Sequence, residues 1–100
     1  MAKQLKWTRK ALFEKIEILK YWNKRNRSDE YSKKRNKMFL EATKSIQTYP
    51  SLGRPTDDPD VKNILAREYL IFYKETDTEY IIVHIWDESR NPEDMIYKIV

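Results

Sequence analysis

The side chain best suited to proton transfer near neutral pH is His84, the only histidine among the 100 residues. It lies in an apolar run with Tyr80 and Trp86, whose rings could stack on nucleic-acid bases. The structural alternatives are a packed or hydrogen-bonded histidine and aromatic side chains that pack across neighbouring strands. These residue types therefore allow proton transfer and base stacking, and they equally allow a purely structural cluster.

The composition excludes several other chemistries. Cysteine is absent, which excludes thiol nucleophiles, disulfide frameworks and Cys-ligated metal sites. One histidine is a poor basis for a zinc site, because such sites draw on several nitrogen or sulfur ligands. We therefore expect no cofactor and no metal. The missing cysteines and the short apolar runs predict a cytoplasmic protein without a membrane span or signal peptide.

Charge is distributed unevenly along the chain. The net charge is +4, but residues 1–54 carry 15 basic and 5 acidic side chains, whereas residues 55–100 carry 5 basic and 11 acidic ones. The densest basic stretch, 20–37, includes Lys33 and Lys34 and suits a polyanion or an acidic protein partner, or else a solvated helical hairpin. Arg54 and Arg67 are further candidate anion contacts, although nearby acidic residues could pair with them.

Local patterns predict one domain over residues 1–100 with the order β-α-α-β-β-β. This is an α+β fold in which a helical hairpin packs on a small, mainly antiparallel sheet. Thr8 and Ser28 supply the N-caps of the two helices, and Tyr49-Pro50 ends the second helix. The predicted strands are 4–7, 61–66, 69–76 and 79–86, the first helix is 9 to about 23, 51–60 is a loop, and 93–100 is a terminal helical turn or a packed tail.

Alternation along the strands predicts the two faces of the sheet. We expect the aliphatic side of the last strand to face the helices; its members are Ile81, Val83 and Ile85. The other side is expected to be less covered and is the candidate binding surface; its members are Tyr80, Ile82, His84 and Trp86, beside Leu70 and Phe72 of the preceding strand.

Several short segments occur together in a characteristic order. They are Lys6-Trp7-Thr8 entering a helix, the stretch Tyr49-Pro50-Ser51-Leu52-Gly53-Arg54-Pro55, the strand Tyr69-Leu70-Ile71-Phe72-Tyr73, and Ile85-Trp86-Asp87 leading to Arg90 and Pro92. In this combination, which covers nearly the whole chain, the sequence resembles the RelE/ParE superfamily of type II toxin-antitoxin toxins, also called plasmid stabilisation proteins.

The resemblance implies a partner and a target. The partner is a cognate antitoxin, whose tail wraps the toxin and blocks it. RelE-like members cleave mRNA in the ribosomal A site, whereas ParE-like members poison DNA gyrase and are not nucleases. The resemblance also adds Lys62, Arg90 and Tyr97 to His84 as candidate catalytic residues, with Trp86 as a candidate contact to nucleic acid or a partner.

Two positions depart from the nuclease pattern. RelE-like nucleases carry an arginine directly after the tyrosine of the third strand, where this chain has Leu70, and Ser89 replaces the first of an arginine pair that ends with Arg90. Losing one cation aimed at the transition state typically costs about 10²- to 10³-fold in rate. The sequence still slightly favours a RelE-like ribosome-dependent ribonuclease, because the basic hairpin suits an RNA-rich target and Lys62, His84 and Arg90 leave a possible cation set. The alternatives are a gyrase inhibitor acting by protein contact and a non-toxic antitoxin-binding module.

Overall fold

The computed structural model describes residues 3–89 and Tyr97. Its elements are β1 Gln4–Trp7, α1 Arg9–Asn26, α2 Glu30–Thr48, a 3-10 turn at Pro50–Leu52, β2 Arg54–Pro55, β3 Val61–Ala66, β4 Tyr69–Glu75 and β5 Glu79–Asp87. The strands form one sheet in the order β1-β5-β4-β3-β2, in which β1 is parallel to β5 and the other neighbours are antiparallel. The predicted α+β class is confirmed.

The two helices begin close to the predicted caps. Thr8 Oγ1 accepts the Ala11 N–H at 3.1 Å and fixes the start of α1. Helix α1 continues to Asn26, about three residues beyond the predicted end, and Arg27 stops it in the left-handed conformation with φ 52°. Helix α2 begins at Glu30, so Asp29 and not the predicted Ser28 occupies the N-cap position, although the Glu30 N–H donates to Ser28 Oγ at 3.2 Å. The connection between the helices is therefore a tight one.

The main core lies between the helical hairpin and one face of the sheet. Phe39 and Ile46 of α2 and Ala11 of α1 are almost completely buried there, against a cluster that includes Ile71 and Ile82. This arrangement follows from the helical spacing of apolar residues on each helix and from the alternation along β4. The faces predicted for the β4 side chains are confirmed, because Ile71 faces the helices and Phe72 belongs to the cluster on the other face.

The prediction for the faces of β5 is partly wrong, because the strand contains a bulge. Phe72 pairs with His84, but Tyr73 pairs with Ile82, which leaves Val83 as an extra residue. Tyr80 and Ile82 therefore face the helices, and Val83 packs on the opposite side. Simple alternation holds on each side of the bulge but not across it. The faces predicted for the residues after the bulge, His84, Ile85 and Trp86, are therefore correct.

The face of the sheet away from the helices is also closed at its centre. Val61, Leu70 and Phe72 are each at most 2% exposed and form a second cluster, against which Trp86 and Tyr97 pack. The Tyr97 ring centroid lies 5.3 Å from that of Phe72. The expectation of a less covered binding surface is therefore wrong at this position, since the chain's own tyrosine contacts it.

Two further predictions concern the loop 51–60 and the tail 93–100. Within the predicted loop 51–60, Arg54 and Pro55 pair with Asn63 and Lys62 as a two-residue edge strand. The predicted tail 93–100 lies outside the described residues, except for Tyr97. Among the helices described here, none is long and apolar enough to cross a membrane.

Candidate functional site

A group of three polar side chains, Lys10, Glu14 and His84, joins α1 to the edge of β5. Beyond the end of β1, the edge of β5 is crossed by α1, and Glu14 Oε1 accepts the backbone N–H of Ile85 at 3.1 Å. The same carboxylate contacts His84, whose Nδ1 lies 2.8 Å from Glu14 Oε2. Glu14 thus satisfies a strand-edge donor, which a further strand would otherwise do, and also fixes the orientation of the imidazole.

Lys10 completes this polar group. Its Nζ lies 2.9 Å from His84 Nδ1 and 3.3 Å from Glu14 Oε2. When Nδ1 donates its proton to Glu14, it has no lone pair left to accept from Lys10, so the lysine is held by the carboxylate. The other ring nitrogen of His84, Nε2, is buried without a hydrogen-bond partner among the described residues. His84 is therefore an oriented but enclosed base.

The charge of Glu14 is stabilised in the folded state. Burial alone raises the pKa of Glu14, but the hydrogen bond and charge of His84, the Ile85 N–H and the charge of Lys10 outweigh it, so the pKa lies below its ordinary value of 4.5. A carboxylate whose pKa is lower in the folded than in the unfolded state stabilises the fold at pH values above its unfolded-state pKa. This stabilisation is lost as the pH falls through the folded-state pKa.

We expect Glu14→Gln to lower the free energy of unfolding by about 1–3 kcal/mol at neutral pH, because it weakens charged hydrogen bonds to His84 and Ile85. The difference from the wild type should be present above pH 4.5 and shrink at lower pH. Urea denaturation at stepped pH values measures it. Glu17→Gln, one turn further along α1 and 52% exposed, serves as the control and should change little. A pH-independent loss for Glu14→Gln would show that its charge is not what stabilises the fold.

A cleft of about 410 Å³ adjoins this polar group, between α1 and the second half of β5. Phe13 and Tyr21 form exposed aromatic walls on the helix side, and Glu14, Glu17 and Asp87 contribute carboxylates. Such a surface suits a cationic side chain with apolar neighbours. No group of three or more His, Asp or Glu side chains in residues 3–89 is arranged to hold a metal ion.

The structure does not gather the candidate catalytic residues into one site. Lys62 pairs with Tyr73 across the sheet and therefore projects to the helix-facing side. His84 projects to the opposite side, where its ring centroid lies 6.2 Å from that of Tyr97. His84 and Tyr97 are thus brought together, Lys62 is separated from them by the sheet, and Arg90 lies outside the described residues.

The candidate binding residues come from α2, β2, β5 and the β3–β4 turn. Arg54 is exposed on β2, and Arg67 occupies the β3–β4 turn with φ 54°. Trp86 packs beside the second cluster, with its ring centroid 6.0 Å from that of His84. Lys33 and Lys34 project from the first turns of α2, where each forms an ion pair with an acidic residue four positions earlier, at 3.0 and 3.5 Å.

Sequence reasoning missed Glu14. On a helical wheel it is one of several charged residues of α1, and it lies 70 positions before its partner His84. One usable signal exists: a glutamate on the helix that directly follows an edge strand can reach the unpaired donors of the next strand.

Comparisons with known proteins agree with this geometry. A helical hairpin packed on a five-stranded mixed sheet is the architecture of the RelE/ParE superfamily of type II toxins. Residues 5–92 match the family described as ParE toxin of type II toxin-antitoxin system, parDE, and the chain belongs to this family. It is the toxin component of a toxin-antitoxin pair, which implies an antitoxin partner.

A solved structure, that of the chromosomal ParDE TA system from P. aeruginosa, is similar to the chain with a TM-score of 0.74 and 24% sequence identity. The match covers 84% of this chain and 94% of the other. At this identity the similarity establishes the fold. No curated protein is significantly similar to the sequence.

Proposed function

We propose that this toxin poisons DNA gyrase by protein contact and does not cleave RNA. Attack of a 2′-hydroxyl on the adjacent phosphate needs a base, cations for the developing charge and an acid for the leaving oxygen, all around one phosphate. The separation of Lys62 from His84 by the sheet is the observation that carries the proposal. A single phosphate cannot contact both side chains.

The environment of His84 supports the same conclusion. Its Nδ1 is held by Glu14, and Nε2 is buried, so neither nitrogen is presented to solvent for proton transfer. Leu70 is 2% exposed and is part of a packed cluster, which leaves no space there for a substrate. The prediction of a RelE-like nuclease rested on the basic hairpin and on Lys62, His84 and Arg90 as one cation set, so it has less support than the ParE-like alternative. Membership of the family named for parDE also favours that alternative.

The test uses purified toxin with gyrase, relaxed plasmid and ATP, and in parallel a purified translation system. We expect inhibited supercoiling and an accumulation of cleaved plasmid after protein denaturation, while the ribosome-bound mRNA remains intact. The antitoxin, added in equal amount, should prevent the effect on gyrase. Cuts in mRNA with unaffected gyrase would overturn the proposal in favour of the nuclease. An absence of both effects would overturn it in favour of a non-toxic module that keeps only the antitoxin contact.

A further inference from the structure

The connected ends of α1 and α2 carry cations that have no acidic partner. We call this region the hairpin tip and define it by Lys24, Arg25 and Arg27 with the exposed rings of Tyr21 and Tyr31. Residues 18–28 contain four basic and no acidic side chains, and the two acidic residues that follow, Asp29 and Glu30, pair with Lys33 and Lys34 of α2. No ion pair joins the three tip cations to a carboxylate among the described residues, and Arg25 donates only to the Tyr21 hydroxyl, at 2.9 Å. Lys24 and Arg25 lie in the last turn of α1, where they interact favourably with the negative end of the helix dipole. Arg27 lies beyond the helix, so this interaction does not account for it.

The neighbouring cations of α2 differ from those of the tip. Lys33, Lys34 and Lys37 each lie within 4.0 Å of an acidic residue one turn away. Their charge is locally neutralised, whereas the charge of the tip is not. The structure therefore moves the candidate anion surface from Lys33 and Lys34 to the connection between the helices.

The tip is built on a fixed aromatic support. Trp22 Nε1 donates to the Tyr69 hydroxyl at 2.9 Å, which ties the end of α1 to the sheet. The Arg35 guanidinium lies 4.3 Å from the Trp22 ring centroid, and the Tyr31 ring stacks on Trp22 at 6.1 Å with an interplanar angle of 16°. The tip cations therefore extend from an ordered base, which lowers the entropy lost when they bind.

Arg27 occupies a position that costs stability. Its φ of 52° is left-handed, a conformation that favours glycine and costs other residues about 1–2 kcal/mol. Arginine at a position where glycine would stabilise the helix end is a local cost, and no hydrogen bond or ion pair of Arg27 within the described residues offsets it. Such outliers often occur at binding positions.

We propose that the hairpin tip binds the phosphate backbone of double-stranded DNA. The tip's tyrosine hydroxyls, lysine and arginines are groups that commonly contact phosphates, and its unpaired positive charge complements the phosphate backbone. Of the tip residues, Tyr21 alone lines the cleft between α1 and β5, so the tip cations lie outside that concave surface. The proposal extends the proposed function, because gyrase acts on DNA, but it can be tested without gyrase.

The experiment measures binding of the purified toxin to a fluorescent duplex of about 20 base pairs by anisotropy, over a series of salt concentrations. For Lys24→Gln/Arg25→Gln/Arg27→Gln we expect at least tenfold weaker binding and a salt slope reduced by about 3, one for each phosphate contact. The control, Lys33→Gln/Lys34→Gln/Lys37→Gln, removes the same charge from paired positions and should reduce the slope by less than about 1. Circular dichroism of both variants confirms that they are folded.

Equal losses in the two triple variants would overturn the proposal, because binding would then follow net charge alone. An absence of DNA binding by the wild type at low salt would also overturn it, whatever the result with gyrase. Displacement of the duplex by poly-glutamate of equal charge at lower concentration than by unlabelled duplex would overturn it in favour of an acidic protein partner. The single variant Arg27→Gly provides a separate check, since it should raise the melting temperature while weakening DNA binding.

Discussion

Leu70→Arg is expected to destabilise the protein by about 3 kcal/mol or more, although it restores the residue type that RelE-like nucleases carry at this position. Leu70 is 2% exposed and packs with Val61 and Phe72 in an apolar cluster. A guanidinium at this position would be buried among apolar side chains, where its desolvation is costly. Urea denaturation and the melting temperature measure the effect; 1 kcal/mol corresponds to about 4–8 °C in a domain of this size.

Leu65→Arg is the matched control. Leu65 is the cross-strand partner of Leu70 on the same face, but it is 47% exposed. The same substitution there should change the free energy of unfolding by about 0.5 kcal/mol or less. If Leu70→Arg were instead as stable as Leu65→Arg and gained ribosome-dependent cleavage of mRNA, this face of the sheet would be an accessible nuclease site, and the proposed gyrase target would be wrong.

The parts of the fold that follow local rules were predictable from the sequence. Thr8 as a cap, the apolar spacing in α1 and α2, and the β-branched residues of β3 to β5 each depend on interactions within one element. The strand β2 was not predictable, because two residues that include Pro55 carry no strand pattern. The face predicted for Val83 is wrong for a related reason. A bulge depends on packing on both sides of the sheet, and strict alternation of residues along a strand cannot predict it.

The candidate site was less predictable than the fold. His84 was identified by residue type, but its enclosure depends on Glu14, which is distant in sequence, and on Tyr97. Lys62 was identified through a family pattern that says nothing about which face of the sheet it occupies. Positions of charges relative to one another are long-range properties, so residue types predict possible chemistry while the topology decides whether the groups meet.

Gly53→Ala is expected to destabilise the protein by about 1–3 kcal/mol, for a steric reason that the backbone angles do not reveal. Gly53 has an ordinary φ of −64°, but a Cβ added there would lie far inside contact distance of the Tyr73 hydroxyl and 2.8 Å from the ring carbon that carries it. The Tyr73 hydroxyl is buried without a hydrogen-bond partner in the described residues, and burial raises the pKa of Tyr73 to about 12. The ring belongs to the main core and cannot move away freely.

A double-mutant cycle with Tyr73→Phe separates this clash from a general sensitivity of the turn. Tyr73→Phe alone should be neutral or stabilising, because it removes a buried hydroxyl that lacks a partner. In the Tyr73→Phe background, Gly53→Ala should lower the free energy of unfolding by clearly less than in the wild type. A smaller loss should remain, because the ring carbon and Lys62 Cβ lie within 3.0 Å of the new methyl group. Strictly additive costs in urea denaturation would mean that the methyl group is accommodated by a shift of the β2 strand rather than resisted by Tyr73. Strand β2 could then shift relative to the Tyr73 ring, and packing would no longer fix the position of Arg54 beside β3.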